Sequence, residues 1–325
     1  MYLPIRPIFF LLLLCSTATL SAQQDAGFTK YIFNGLAYNP AYAGSNEHLS
    51  AHLIHRRQWI GLEGAPVSSS LSVHSPLKKE KIALGFNFIG DQVGPLSAGE
   101  FAFSYVYRVK VNERWRLAAG LQGSVYFWAS DATRLILNNR NDDVFFVNTS
   151  VFRPNFGAGL YLSSERGYVG LSCPRMLEDE IALFSGNGRN FRHYYLTAGW
   201  VFPLREEDIV FRPTLLLKGA GIFSKVRESK NAGSPTAVDI DAAFGFFKTF
   251  WIGAAYRGAV QRSRSSDDSA DLWAAWYLRN GLRLGIAYDF TVSDIRKATN
   301  SGSAELMLGY EFDIKVKKVA TPRYF

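Results

Sequence analysis

The chain has 325 residues, and its 36 Lys and Arg against 28 Asp and Glu give a formal charge of +8. A surplus that small, spread along the whole length, does not build the dense basic stripe that nucleic acid requires, so nucleic acid is set aside as a partner. The 25 Phe, 16 Tyr and 7 Trp sit in a chain of mean hydropathy −0.03, which describes many amphipathic surfaces rather than continuous apolar spans.

The N-terminus reads as a cleaved signal peptide over residues 1–22: Arg6, an apolar run from Ile8 to Cys15, and a small-residue stretch ending Ser21-Ala22 before Gln23. That run is shorter than the roughly 20 residues a membrane-spanning helix needs. Leu14 stands where a lipidation signal before Cys15 wants a small residue. Cleavage leaves 325 − 22 = 303 residues, a charge of +8 − 1 = +7, and Cys173 alone, so no internal disulfide is available. No run in the remainder approaches 18 apolar residues. If the chain is embedded in a membrane, a closed barrel is the architecture left.

Residues 23–47 form an N-terminal periplasmic or plug segment. Within it, Tyr31 to Ser45 is rich in aromatics, and Asn39-Pro40 and Gly44-Ser45 punctuate it as turns. It reads as ordered and non-strand, either plugging the periplasmic mouth or lying in the lumen, with an untethered leader as the alternative.

From about His48 the period is two. Ile82, Leu84, Phe86 and Phe88 share one face. Phe101, Phe103, Tyr105, Tyr107 and Val109 oppose Glu100, Ala102, Ser104 and Arg108. Trp115 to Phe127 and Leu282 to Phe290 repeat the pattern. A soluble sandwich alternates in the same way, so the connections decide. Tight links at Leu77 to Glu80, Val111 to Glu113, Ser163 to Gly167, Leu204 to Glu207, Lys248 to Phe250 and Arg279 to Gly281 alternate with longer polar ones. The longer ones are Gly90 to Ser97, Ala129 to Thr149, Pro174 to Asn190, Ile222 to Pro235, Gln261 to Ser269 and Thr291 to Gly302. This asymmetry predicts an all-β fold: a transmembrane antiparallel outer-membrane β-barrel of about 14 strands over residues 48–312, with short periplasmic turns and longer extracellular loops. Pro213 is a fault in the pattern, because proline belongs at a bulge or an edge rather than mid-ladder. Ala304 to Phe312 closes the barrel against the first strand. Residues 313–325, with Lys315, Lys317, Lys318 and Arg323, form a basic periplasmic tail.

No catalytic constellation emerges, and neither an enzyme activity nor a cofactor is expected. In a strand His48 and His52 share a face while His55 points away, so no metal-binding set converges. Ser68, Ser69 and Ser70 lack the glycine frame of a nucleophile elbow. Asp142-Asp143, Glu206-Glu207 and Asp267-Asp268 fall in loops or turns and read as solvated charge. Gly85, Gly120, Gly245 and Gly285 occupy alternate strand positions, which suits a crowded lumen or a curved wall.

Five stretches carry a family resemblance: YIFNGLAYNPAYAGS from Tyr31 to Ser45, RRQWIGLEGAPVSSSLSVHSPL from Arg56 to Leu77, GFNFIGDQVGP from Gly85 to Pro95, YVYRV ending at Val109, and TPRYF from Thr321 to Phe325. Together they resemble the PorP/SprF family of type IX secretion system membrane proteins, in order along nearly the whole chain. The motif positions are Asn39, Pro40, Gly44, Arg57, Gln58, Trp59, Gly61, Gly64, Pro66, Asp91 and Gly94, with a structural or partner-contact role. The resemblance implies an outer-membrane component of the secretion and gliding motility machinery that delivers or anchors secreted proteins or adhesins. The implied partners are other type IX secretion components including a peptidoglycan-linked periplasmic protein, the C-terminal domain of secreted cargo or an adhesin, and membrane lipid. The alternative is a transporter or porin-like channel for small solutes. Phe145 and Phe146, in the longest loop, are the candidate interface residues, since apolar groups in an exposed loop serve either as an interface or as a lid.

Overall fold

The computed structural model describes residues 31–46, 48–77, 81–131, 149–183, 186–206, 208–221, 236–259, 269–291 and 302–312. After two short 3-10 turns, Tyr31–Ala37 and Pro40–Tyr42, the regular elements among the described residues are all strands. The strands are β1 Leu49–Arg57, β2 Val67–Pro76, β3 Ile82–Val93, β4 Leu96–Lys110, β5 Arg116–Ser130, β6 Thr149–Ser163, β7 Gly167–Cys173, β8 Asp179–Leu183, β9 Gly186–Asn190, β10 His193–Trp200, β11 Phe202–Arg205, β12 Ile209–Ala220, β13 Ala237–Phe246, β14 Phe250–Ala259, β15 Ser269–Tyr277, β16 Leu282–Thr291 and β17 Ser303–Phe312.

Each strand of the wall pairs antiparallel with its neighbours. The ring closes twice over: β1 pairs β17 from Leu49↔Phe312 to Arg57↔Ala304, and β10 pairs β12 from His193↔Ala220 to Gly199↔Thr214. β8 and β9 form a separate hairpin outside the ring, and β11 continues β10 along β12. The wall is therefore a closed antiparallel barrel of 14 staves, and closure leaves no sheet edge to solvate within a bilayer. Both β1 and β17 have their free ends at the rim of short turns.

The alternation places side chains as the pattern predicts. On β4, Phe103 is 64% exposed and Ser104 is 4% exposed. Leu121, Phe152, Ile240, Leu272 and Leu306 continue the apolar outer surface, whereas Ser70, Gln122, Thr197, Asp241 and Glu305 are buried inside. An apolar exterior around a polar interior is the reverse of a soluble sandwich and is what a bilayer selects.

One connection and one strand position stand out against the sequence reading. Gly90 to Ser97 is not a long loop: pairing runs on through Gly90↔Gly99, Asp91↔Ala98 and Gln92↔Ser97 to Val93↔Leu96, leaving Gly94-Pro95 as the turn. Backbone pairing does not need an apolar face, so the ladder persists beyond the apolar belt. Pro213 lies within β12, paired to Ala242 of β13. On its other side the register is the same before and after a pause, Gly199↔Thr214 and then Phe202↔Phe211. The pause at Val201, beside Arg212 and Pro213, separates β10 from β11. There the Val201 N–H donates to the carbonyl of Arg166 at 2.7 Å, in register with the β7–β10 pairing.

Candidate functional site

The interior of the barrel is occupied by Tyr31–Asn46. A barrel of about 8 strands can fill itself with side chains and one of 16–18 holds an aqueous channel, so 14 staves enclose more space than their own residues fill. At mid-height several inward residues of β3 to β7 are also small. Gly85 faces Ser104 across β3–β4, and Gly120, Gly159 and Ser172 face one another in turn across β5, β6 and β7. These positions form a recessed ledge, and the N-terminal segment lies in it. A methyl group on Gly120 would fall 2.5 Å from Ala41 N, and one on Gly159 2.1 Å from Asn39 Oδ1.

The segment's local structure follows from its turn residues. Asn39 caps the second 3-10 turn, its Oδ1 accepting the Ala41 N–H at 2.9 Å, with Pro40 at the first helical position. Gly44 closes it at φ +66, a conformation that costs little only without a Cβ, and Arg108 and Ala83 crowd the place where a Cβ would stand.

Long-range contacts then fix the segment to both halves of the wall. Asn39 Nδ2 donates to Leu160 O at 3.0 Å, Ser172 Oγ to Tyr38 O at 2.6 Å, Arg108 Nη2 to Ala43 O at 2.5 Å, and Gly44 N to His74 Nδ1 at 3.0 Å. Asn34 Nδ2 donates to Ser70 Oγ at 3.0 Å and the Tyr31 hydroxyl to Thr214 Oγ1 at 2.9 Å. Edge-to-face ring contacts join Tyr42 to Tyr161 at 5.6 Å, Tyr38 to Tyr195 at 5.3 Å and Phe33 to Trp273 at 5.6 Å. Peptide groups removed from water are thus paired, as burial demands.

Above the segment, Pro174–Leu177 folds inward from the long-loop side. Gln122 Nε2 donates to Pro174 O at 3.3 Å, Asn155 Nδ2 to Leu177 O at 3.0 Å, and Arg175 Nε lies 3.8 Å from Glu100 Oε2. Ion pairs tie neighbouring staves: Arg56 on β1 to Asp289 on β16, one strand away, at 2.6 Å with both side chains 4% exposed, and Arg257 on β14 to Asp239 on the adjacent β13 at 3.0 Å. The Arg212 guanidinium sits 4.1 Å above the Trp251 ring. Among the described residues no group of three or more His, Cys, Asp or Glu is arranged to hold a metal.

The motif residues separate into two places. Asn39, Pro40 and Gly44 are in the lumen. Gln58, Trp59, Gly61, Gly64 and Pro66 make the connection between β1 and β2 at the long-loop rim, just beyond Arg57, and the β3–β4 hairpin brings Asp91 and Gly94 to them. Gln58 N donates to Pro66 O at 2.9 Å, Gly94 N to Gly64 O at 2.9 Å, and Ser68 Oγ to Asp91 Oδ1 at 2.5 Å. Trp59, held at φ 41, donates its N–H to Ser303 Oγ at 3.2 Å, which ties the connection across the β1–β17 seam. These positions brace the rim. Phe145 and Phe146 lie outside the described residues. The role of Ser70, His74, Arg108, Ser172, Thr214 and Trp273 as partners of the luminal segment was not read from sequence; small residues at inward positions were the signal that could have found it.

A family described as "Type IX secretion system membrane protein PorP/SprF" matches residues 20–310. The chain belongs to the PorP/SprF family. Like the family, this PorP/SprF member is an outer-membrane component of type IX secretion. Solved structures similar to it include the Acinetobacter baumannii outer membrane protein Omp33, at 5% identity over 82% of this chain and 98% of that one with a TM-score of 0.48. The CymD monoaromatic hydrocarbon channel is 14% identical over 90% and 94% with a TM-score of 0.48. A Pseudomonas aeruginosa FadL homologue is 12% identical over 91% and 96% with a TM-score of 0.46. No curated protein matches the chain.

Proposed function

We propose that this PorP/SprF member works through its two faces, holding or delivering a secreted protein or adhesin at the cell surface while linked on the periplasmic side to the secretion machinery. Family membership supplies the pathway. The observation that favours a surface role over the alternative, a transporter or porin-like channel, is the occupied lumen. A solute path needs open cross-section, and here the chain's own Tyr31–Asn46 is packed across it. A non-enzymatic role agrees with this reading, since Ser70, Arg108, Ser172 and Thr214 of the interior hold the segment and Arg56, Asp289, Arg257 and Asp239 hold the staves together.

Cargo ends outside the cell, so its contact belongs on the long-loop side, where recognition surface is available. Phe145 and Phe146 are the residues we assign to it. Replacing both with Ser should remove cargo from the cell surface while the barrel still reaches the outer membrane. Undiminished surface cargo at normal barrel levels would reject the loop as the interface.

A further inference from the structure

We infer that the inner face of β3 to β7 is a peptide seat, and that its occupant, Tyr31–Asn46, is the element that seals the barrel against solutes. Three observations converge. The small inward residues leave a recess: Gly85 beside Ser104, and, two residues along in register past Val106, Gly120 beside Gly159 and Gly159 beside Ser172. The recess takes the segment at close range: a Cβ on Gly120 would overlap the Ala41 backbone, one on Gly159 the Asn39 side-chain oxygen, and one on Gly85 would stand 2.9 Å from Ala43 Cβ. The bonds that hold the occupant read its peptide groups as well as its side chains: Tyr38 O, Ala43 O and the Gly44 N–H each have a side-chain partner in the wall, and the Asn39 amide donates to Leu160 O of β6.

The seat is built for a compact turn of Asn-Pro-small-aromatic-small-Gly character. Asn39 shapes the turn, Pro40 and Ala41 lie against the ledge, Tyr42 enters between Tyr161 and His74, and Gly44 passes beneath Arg108. Without that occupant the staves could not close the middle themselves, since side chains at the ledge extend too little into a ring of 14 strands. Sealing is thus assigned to one segment. It goes beyond the cargo reading, for a barrel that held no cargo would still be sealed in this way.

The test is electrical and uses the full-length chain in planar lipid bilayers. The unaltered protein should be silent. Gly120→Leu with Gly159→Leu puts branched side chains where Ala41 and Asn39 lie, leaves the outer face untouched, and should produce stepwise channel openings in protein that still shows heat-modifiable migration. If that pair fails to assemble, Gly159→Ala is the milder wedge, its methyl carbon alone meeting Asn39, and should produce brief openings. Steady conductance from the unaltered chain would overturn the inference. So would an assembled ledge variant that stays silent.

Discussion

Replacing Phe103 with Arg tests the facing and the depth of the wall together. Phe103 stands seven residues from each end of β4 (103 − 96 = 7 and 110 − 103 = 7) and is 64% exposed on the outer face. Its side chain is therefore at mid-span, where an arginine facing lipid costs about 2–4 kcal/mol. Its ring also lies 5.1 Å from Phe86 on β3, and losing that aromatic contact adds about 1 kcal/mol. Val109→Arg is the control: it is outward on the same strand but one residue from the end, where the same charge costs about 0–1 kcal/mol because the side chain reaches water. The assay is reversible urea unfolding in lipid vesicles, followed by tryptophan fluorescence. Equal losses at Phe103 and Val109 would refute the account, because either the facing or the depth would then be wrong.

Other expectations concern the interior and the turns. Asn39→Ala removes the cap on Ala41 N and the bond to Leu160 O and should cost about 1–3 kcal/mol, read as a lower urea midpoint; an unchanged midpoint would mean Asn39 is not seated as described. Arg56→Met leaves Asp289 buried without this partner and should cost about 3–5 kcal/mol, whereas the double change with Asp289→Leu should restore most of the loss in the gel-shift temperature. The β13–β14 turn holds Phe247 at φ 52 and Lys248 at φ 57, positions that favour Asn-Gly. Phe247→Asn with Lys248→Gly should therefore raise stability by about 1 kcal/mol, and a lower unfolding midpoint would contradict the strain argument.

Much of the wall was legible because a strand's facing is a local property. Phe103 and Ser104 could be placed from their neighbours alone, and the contrast of short and long connections separated a membrane barrel from a sandwich. The β3–β4 hairpin was less legible, since Asp91, Gln92 and Ser97 look like loop residues although their backbones pair. The luminal seat was least legible. Tyr31–Ser45 has no period, and each contact that locates it joins residues far apart in sequence, such as Asn39 with Leu160 or Tyr31 with Thr214. Only the inward glycines hinted at it. Gly85 and Gly120 suggested a crowded lumen, but nothing local says what crowds it. Trp59 is similar: its positive φ follows from ties to Ser303 and its neighbours, which only closure of the seam creates.

The claim at the centre of the account is that this PorP/SprF barrel works by binding at its faces. The most direct measurement is cross-linking in intact cells, followed by purification of the barrel from outer membranes and mass spectrometry of what is joined to it. Peptides of other type IX secretion components should be joined on the short-turn side and those of a secreted protein's C-terminal region on the long-loop side. A correctly assembled barrel joined to neither would contradict that claim.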